Sequence, residues 1–192
     1  MLLLSADTKD AESIIADNEA FRAKMNTEYA DAKTSPLTDE DRAVFTELPF
    51  FPIDTAFYVE AQFERTKRAK AFKMKTTTDR LPVYRPYGKA IFWLKGKKCE
   101  LNIYQSDRLK KMPQYKDYLF LPFTDASNAS STYGGGRFID LSIPKGKTIV
   151  IDFNKAYNPY CAYNHKYSCP IPPKENNLDI EVLAGVQYDD KH

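Results

Sequence analysis

The sequence predicts an α+β fold of mainly β character, an antiparallel sandwich or barrel with N-terminal helices packed outside it. Two observations carry that expectation. Apolar residues recur at helical spacing before about residue 55 and at every second position after it. The composition favours strands, with 13 Tyr and 12 Phe against a single Trp. At 192 residues the chain has the length of one domain with a sizeable core. It reads as a helical segment over 1–34 followed by a single β-rich domain over 35–192.

Between Asp10 and Ala32, the residues Ile14, Phe21, Met25 and Tyr29 follow one another at spacings of seven, four and four, with charged residues between them. That is the apolar stripe of one amphipathic helix. Ser35-Pro36 is expected to end it, because a proline disfavours helical geometry in the residue before it. Thr38 followed by Asp39, Glu40 and Asp41 has the form of a helix start: a hydroxyl to accept a free backbone N–H, then acids beside the positive end of the helix dipole. A short second helix is expected from there to Leu48, ended by Pro49 and Pro52.

Beyond Asp54 the period becomes twofold. Phe57, Val59, Ala61 and Phe63 alternate with polar neighbours, as do Phe72, Met74 and Thr76, the pattern of strands with one buried face. Further strands are expected over 89–94, 99–105, 118–123, 137–143, 148–153 and 178–183. Lys95-Gly96-Lys97 reads as a hairpin turn. Pro144-Lys145-Gly146-Lys147 reads as another, joining FIDLSI to TIVIDF.

The net charge of +2 hides a strong polarity, since residues 1–60 carry 13 acidic against 5 basic side chains and residues 61–120 carry 16 basic against 5 acidic. Attraction between the two fields would dock the acidic helix on the basic half of the sheet. The run Arg65, Lys67, Arg68, Lys70, Lys73 and Lys75 lies among Phe63, Phe72 and Met74. Phe72 and Met74 share one parity and point inward, which leaves Lys73 and Lys75 on a solvated strand face and makes nucleic acid an unfavoured partner. The apolar run Leu2 to Leu4 is far too short to span a membrane. It resembles only the end of a signal peptide, which keeps both a cytoplasmic and a periplasmic or lipid-anchored placement open.

Two blocks carry the candidate chemistry. In Thr132-Tyr133-Gly134-Gly135-Gly136-Arg137, three glycines allow positive φ and converging N–H groups, and the arginine at the exit adds a bidentate fork for a carboxylate or phosphate. The alternative is a tight turn whose Arg137 pairs internally with Asp125, Asp140 or Asp152. No Walker lysine follows and the block does not open a helix, so no nucleotide cofactor is indicated. The second block, 152–176, holds four Tyr, four Pro and two Cys with hardly an aliphatic residue. Its prolines fix φ and its asparagines can bond nearby backbone, so it reads as a long ordered loop of the kind on which sites are built.

Cys161, His165 and Cys169 have zinc-ligand chemistry, but three ligands at that spacing do not make a structural site, and no metal is expected. With Cys99 the chain has three cysteines, an odd number that gives no disulfide framework. Cys161 and Cys169 can be reduced thiols or a disulfide closing the loop. A thiol nucleophile would need His165 or His192 as its base, the chain having two histidines. Among the carboxylates beside the two blocks, Asp152 and Glu175 are the candidate general bases.

The segments FFPID at 50–54, TYGGGRFIDL at 132–141, DFNKAYNPYCAYN at 152–164 and SCPIPPKENNL at 168–178 resemble the signature blocks of a bacterial family known as domain of unknown function 1684. The resemblance spans roughly 35–185 and implies one compact domain with the glycine and cysteine blocks at its focus. It implies a secreted or lipid-anchored placement in some bacterial groups and a cytosolic one in others, and no reaction. The expected site is therefore a pocket for a small polar or anionic ligand, formed by Tyr133, Gly134, Gly135, Gly136, Arg137, Tyr157, Asn158 and Cys161. A metal-independent hydrolase using Asp152 or Glu175 is the alternative.

Overall fold

The computed structural model describes residues 9–188, so the Leu2–Leu4 run and His192 lie outside the described residues. Helix α1, Ala11–Ala30, begins where Asp10 accepts the backbone N–H of Ser13, and it buries Ile14, Asn18, Met25 and Tyr29 along one stripe. It ends at Ala30, before Ser35-Pro36 is reached, with Asp31 as its last capped residue. Helix α2, Asp39–Val44, starts at Thr38, whose hydroxyl accepts from the Asp41 N–H as expected. The helix stops four residues short of Leu48. That leucine is buried instead beside Met25 and Tyr29, its N–H held by Asn26.

Eight strands follow: β1 Tyr58–Arg65, β2 Phe72–Lys73, β3 Val83–Leu94, β4 Lys97–Ser106, β5 Tyr118–Asp125, β6 Arg137–Ser142, β7 Thr148–Asp152 and β8 Asn177–Leu178. They form one sheet in the order β6-β5-β4-β3-β1-β7, antiparallel along that path, with β2 on β3 and β8 parallel to β5. The sheet curls into a half-barrel, and the fold is mainly β as the alternating pattern predicts. The turn at Lys95 and Gly96 has φ of 49 and 75, the positive pair that a two-residue hairpin requires.

The second predicted hairpin is corrected. Residues 144–147 do connect β6 to β7, but those strands stand at opposite ends of the sheet, and each pairs with a different neighbour. Curling brings the two ends together without a ladder between them. The strand expected over 178–183 is also shorter, because Ile180, Val182 and Ala184 enter the core as an extended segment whose carbonyls are used otherwise. Of the run Phe72 to Thr76, only Phe72–Lys73 joins the sheet.

Side-chain parity gives the sheet two buried faces. Ala61, Leu101, Ile103, Leu119, Leu121 and Ile139 fill the inside of the curl. Tyr84, Tyr104, Phe120 and Phe138 occupy the other face, packed with Met74 and flanked by Tyr157. Helix α1 docks chiefly on the turns Thr55–Phe57 and Phe153–Lys155, rather than on the basic strands toward which its charge pointed. Apolar contact outweighs the long-range field here, since exposed charges are screened over about 10 Å. Lys67, Arg68, Lys70, Lys73 and Lys75 are all exposed.

Candidate functional site

Arg137, the intended anion clamp, is entirely inaccessible. Its guanidinium donates to Asp125 Oδ2 at 2.9 Å, to the Val182 carbonyl at 2.7 Å and to the Ala184 carbonyl at 2.5 Å. Burial pushes its pKa down, and the adjacent Asp125 opposes that shift. Asp125 in turn accepts from the N–H and hydroxyl of Ser127 and the N–H of Val182 through Oδ1. The expectation of a pocket-facing fork is thus corrected, because parity along β6 sends Arg137 inward with Ile139, and the extended 180–184 segment uses the cation to satisfy its carbonyls.

The glycines serve the same interior. Gly136 has φ +85, and a Cβ there would lie 2.6 Å from the Phe123 carbonyl oxygen. Its N–H donates to the Tyr133 carbonyl, closing a turn whose central residues, Gly134 and Gly135, are exposed. The block is a tight turn that delivers the arginine to the core.

The two candidate bases are separated as well. Asp152 is buried, with Oδ2 accepting from Asn18 at 2.7 Å and Oδ1 accepting from the backbone and side chain of Asn154, so it ties α1 to the end of β7. Glu175 is exposed, with the Tyr104 hydroxyl 3.4 Å away. Asn158 is buried and donates to the Tyr163 hydroxyl and the Gln187 carbonyl. Tyr133 stands edge-on to Tyr188, and its pKa is pushed up by burial first and then by Cys161. Cys161 and Cys169 are buried free thiols beside each other, with the Cys161 N–H donating to Cys169 Sγ at 3.2 Å, while His165 is exposed. Of the predicted ligand-binding set, only Tyr157 lines the cavity described next.

That cavity, about 430 Å³, is a cleft bounded by the second half of α1, the outer face of β3, β5 and β6, and the 157–170 loop. Tyr84, Tyr118, Phe120, Phe138, Tyr157 and Tyr160 supply aromatic walls. Asp140 is an exposed carboxylate on its wall, and its Oδ1 accepts from the Tyr118 hydroxyl at 2.8 Å and the Tyr157 hydroxyl at 2.7 Å. Burial, and then the negative charge of Asp140, push the pKa of both tyrosines up, so both hydroxyls stay protonated donors at neutral pH. Its other oxygen has no donor among the described residues. Glu28 also borders the cleft, with Lys24 3.7 Å away as its partner. The arrangement can orient and neutralise a donor or cation against aromatic faces.

Sequence reasoning weighed Asp140 as a partner for Arg137 and as one of the carboxylates beside the motif blocks, and passed over Tyr84, Tyr118 and Phe120. The signal was present in β5, where Tyr118 and Phe120 alternate with Leu119 and Leu121. An aromatic face opposite an aliphatic one marks a strand with two different buried environments.

Comparison with known proteins adds family and fold. A family model described as "Protein of unknown function (DUF1684)" matches residues 43–187. The solution NMR structure of an uncharacterized protein from Haloarcula marismortui is similar at 30% identity and a TM-score of 0.74, covering 95% of this chain and 98% of that one. Its archaeal source places the likeness beyond bacteria. No curated protein matches. Among the described residues, no helix is long and apolar enough to cross a membrane.

Proposed function

Since the chain belongs to the DUF1684 family of proteins of unknown function, whose description names no reaction, we propose from the cleft itself that the domain binds a small organic ligand bearing a cationic or strongly hydrogen-bond-donating group. The carrying observation is Asp140, a carboxylate fixed by two tyrosine hydroxyls inside an aromatic-walled cleft of about 430 Å³. A cavity of that size suits a ligand of drug-like dimensions, with apolar walls supplying affinity and one polar group fixing orientation. Aromatic faces attract a cation by about 0.5–2 kcal/mol each, depending on desolvation. Arg137, the group that favoured an anion, is occupied in the core. Asp152 and Glu175 do not line the cleft, which removes the geometric support for the hydrolase alternative.

The test uses benzyltrimethylammonium and, as its charge-reversed counterpart, benzoate. Calorimetric titration of the full chain should detect the cation and not the anion. Asp140→Asn should weaken cation binding about tenfold, equivalent to about 1.4 kcal/mol. Equal binding of benzoate, or cation binding indifferent to Asp140→Asn, would overturn the proposal.

A further inference from the structure

A second group in the long loop has chemistry independent of the cleft's ligand. Cys161 sits on the 3₁₀ turn Tyr160–Ala162, and Cys169 lies in the extended stretch that bridges to Thr76 through Pro170. Their approach is held from two sides. Thr77 donates its N–H to the Cys169 carbonyl at 2.9 Å and accepts the Cys169 N–H on its hydroxyl at 3.1 Å, while Cys161 donates its N–H to Cys169 Sγ at 3.2 Å. That 3.2 Å contact sets Cys169 Sγ against the turn that carries the Cys161 side chain. Cys169 also borders the open cleft, which gives a small oxidant a route to the pair.

We propose that Cys161 and Cys169 form a peroxide-oxidisable dithiol that closes to an intramolecular disulfide. The Cys161 thiolate attacks one oxygen of hydrogen peroxide; the S–O bond forms, the O–O bond breaks, and the departing hydroxide takes the proton of the Cys169 thiol to leave as water. The resulting Cys169 thiolate attacks the sulfenic sulfur of Cys161, forming the S–S bond and expelling hydroxide. Two thiol sulfurs are oxidised by two electrons in total, and one peroxide is reduced to the oxidation level of water.

Cys169 Sγ already touches the Cys161 backbone, so closure needs no rearrangement of the sheet. Cys161 is the member of the pair whose charged form is favoured. Its pKa is drawn down to about 6, first by the hydrogen bond from Cys169, whereas that of Cys169 is driven up by the same bond. The pair therefore releases one proton early and keeps the other. Cys99 provides an internal contrast, because burial on β4 pushes its thiol up.

The full chain, reduced and freed of reductant, is treated with hydrogen peroxide, then denatured, alkylated and mapped by mass spectrometry. The expected product has lost two hydrogens, links Cys161 to Cys169, leaves Cys99 alkylated and is restored by dithiothreitol. The rate at pH 7 should exceed that of Cys99 oxidation by about tenfold or more, rising through pH 6 and levelling off below pH 8. Cys169→Ser should leave a sulfenic acid at Cys161 that dimedone traps. Alkylation of both thiols after peroxide, a disulfide formed only between molecules, or oxidation of Cys99 at the same rate would overturn the proposal. The unsubstituted protein alone decides these outcomes if the serine variant fails to fold.

Discussion

Arg137 and Asp140 stand three residues apart on β6, and the strand sends them to opposite faces of the sheet. Arg137 goes inward, where an aspartate and two backbone carbonyls use its fork. Asp140 goes outward, where two tyrosines hold one oxygen and leave the carboxylate exposed at the cleft. The inner charge is structural, since a buried ion persists only when its partners satisfy it. The outer charge is fixed in position yet retains capacity for a ligand. Proximity in sequence thus says little about shared role; parity on the strand separates the two.

That contrast can be broken by substitution, the largest effect falling on the inner face. Arg137→Ala should destabilise the fold by about 3–5 kcal/mol in guanidinium unfolding, because Asp125 and the carbonyls of Val182 and Ala184 lose their common donor. A loss under about 1 kcal/mol would mean that water replaces the guanidinium and that the interior reading is mistaken. Gly136→Ala should cost about 2 kcal/mol by the same measurement, since it combines a left-handed φ of +85 with a 2.6 Å approach to the Phe123 carbonyl. An unchanged midpoint would show that the turn relaxes.

Effects on the outer face should be smaller and shift from stability to binding. Tyr157→Phe is expected to cost about 1 kcal/mol, for Asp140 keeps the Tyr118 hydroxyl and gains access to water. Asp140→Asn should change stability by no more than about 0.5 kcal/mol, because the amide oxygen still accepts a tyrosine hydroxyl. A cost for Asp140→Asn approaching that of Arg137→Ala would erase the distinction between the two faces.

Much of the frame was legible. Thr38 marked the start of α2 through its capping hydroxyl, Ile14, Met25 and Tyr29 marked the buried stripe of α1, and Val59 and Ala61 marked the inner face of β1. The candidate site was legible in pieces. Tyr157 does enter the cleft, but the pocket expected to join it with Arg137 is not formed, because Arg137 is buried inside the sheet. Sequence offered Arg137 three aspartates, at 125, 140 and 152, and nothing local could choose among them. It likewise made β6 and β7 a hairpin, because a good turn between two apolar runs looks the same whether or not the strands pair.

What the sequence determined by itself were therefore the local features: helix starts, the twofold alternation of strands, the turn at Lys95-Gly96 and the family motifs. These depend on neighbours within a few positions, where capping, φ and side-chain period act. Tertiary structure alone decided that β6 and β7 close opposite ends of a curled sheet, that Asp125 takes the arginine, and that Asp140 faces Tyr118, Tyr157 and α1 across a cleft. Those outcomes depend on which distant surfaces bury one another, and on which buried polar groups must then be satisfied, conditions set only when the whole sheet has formed.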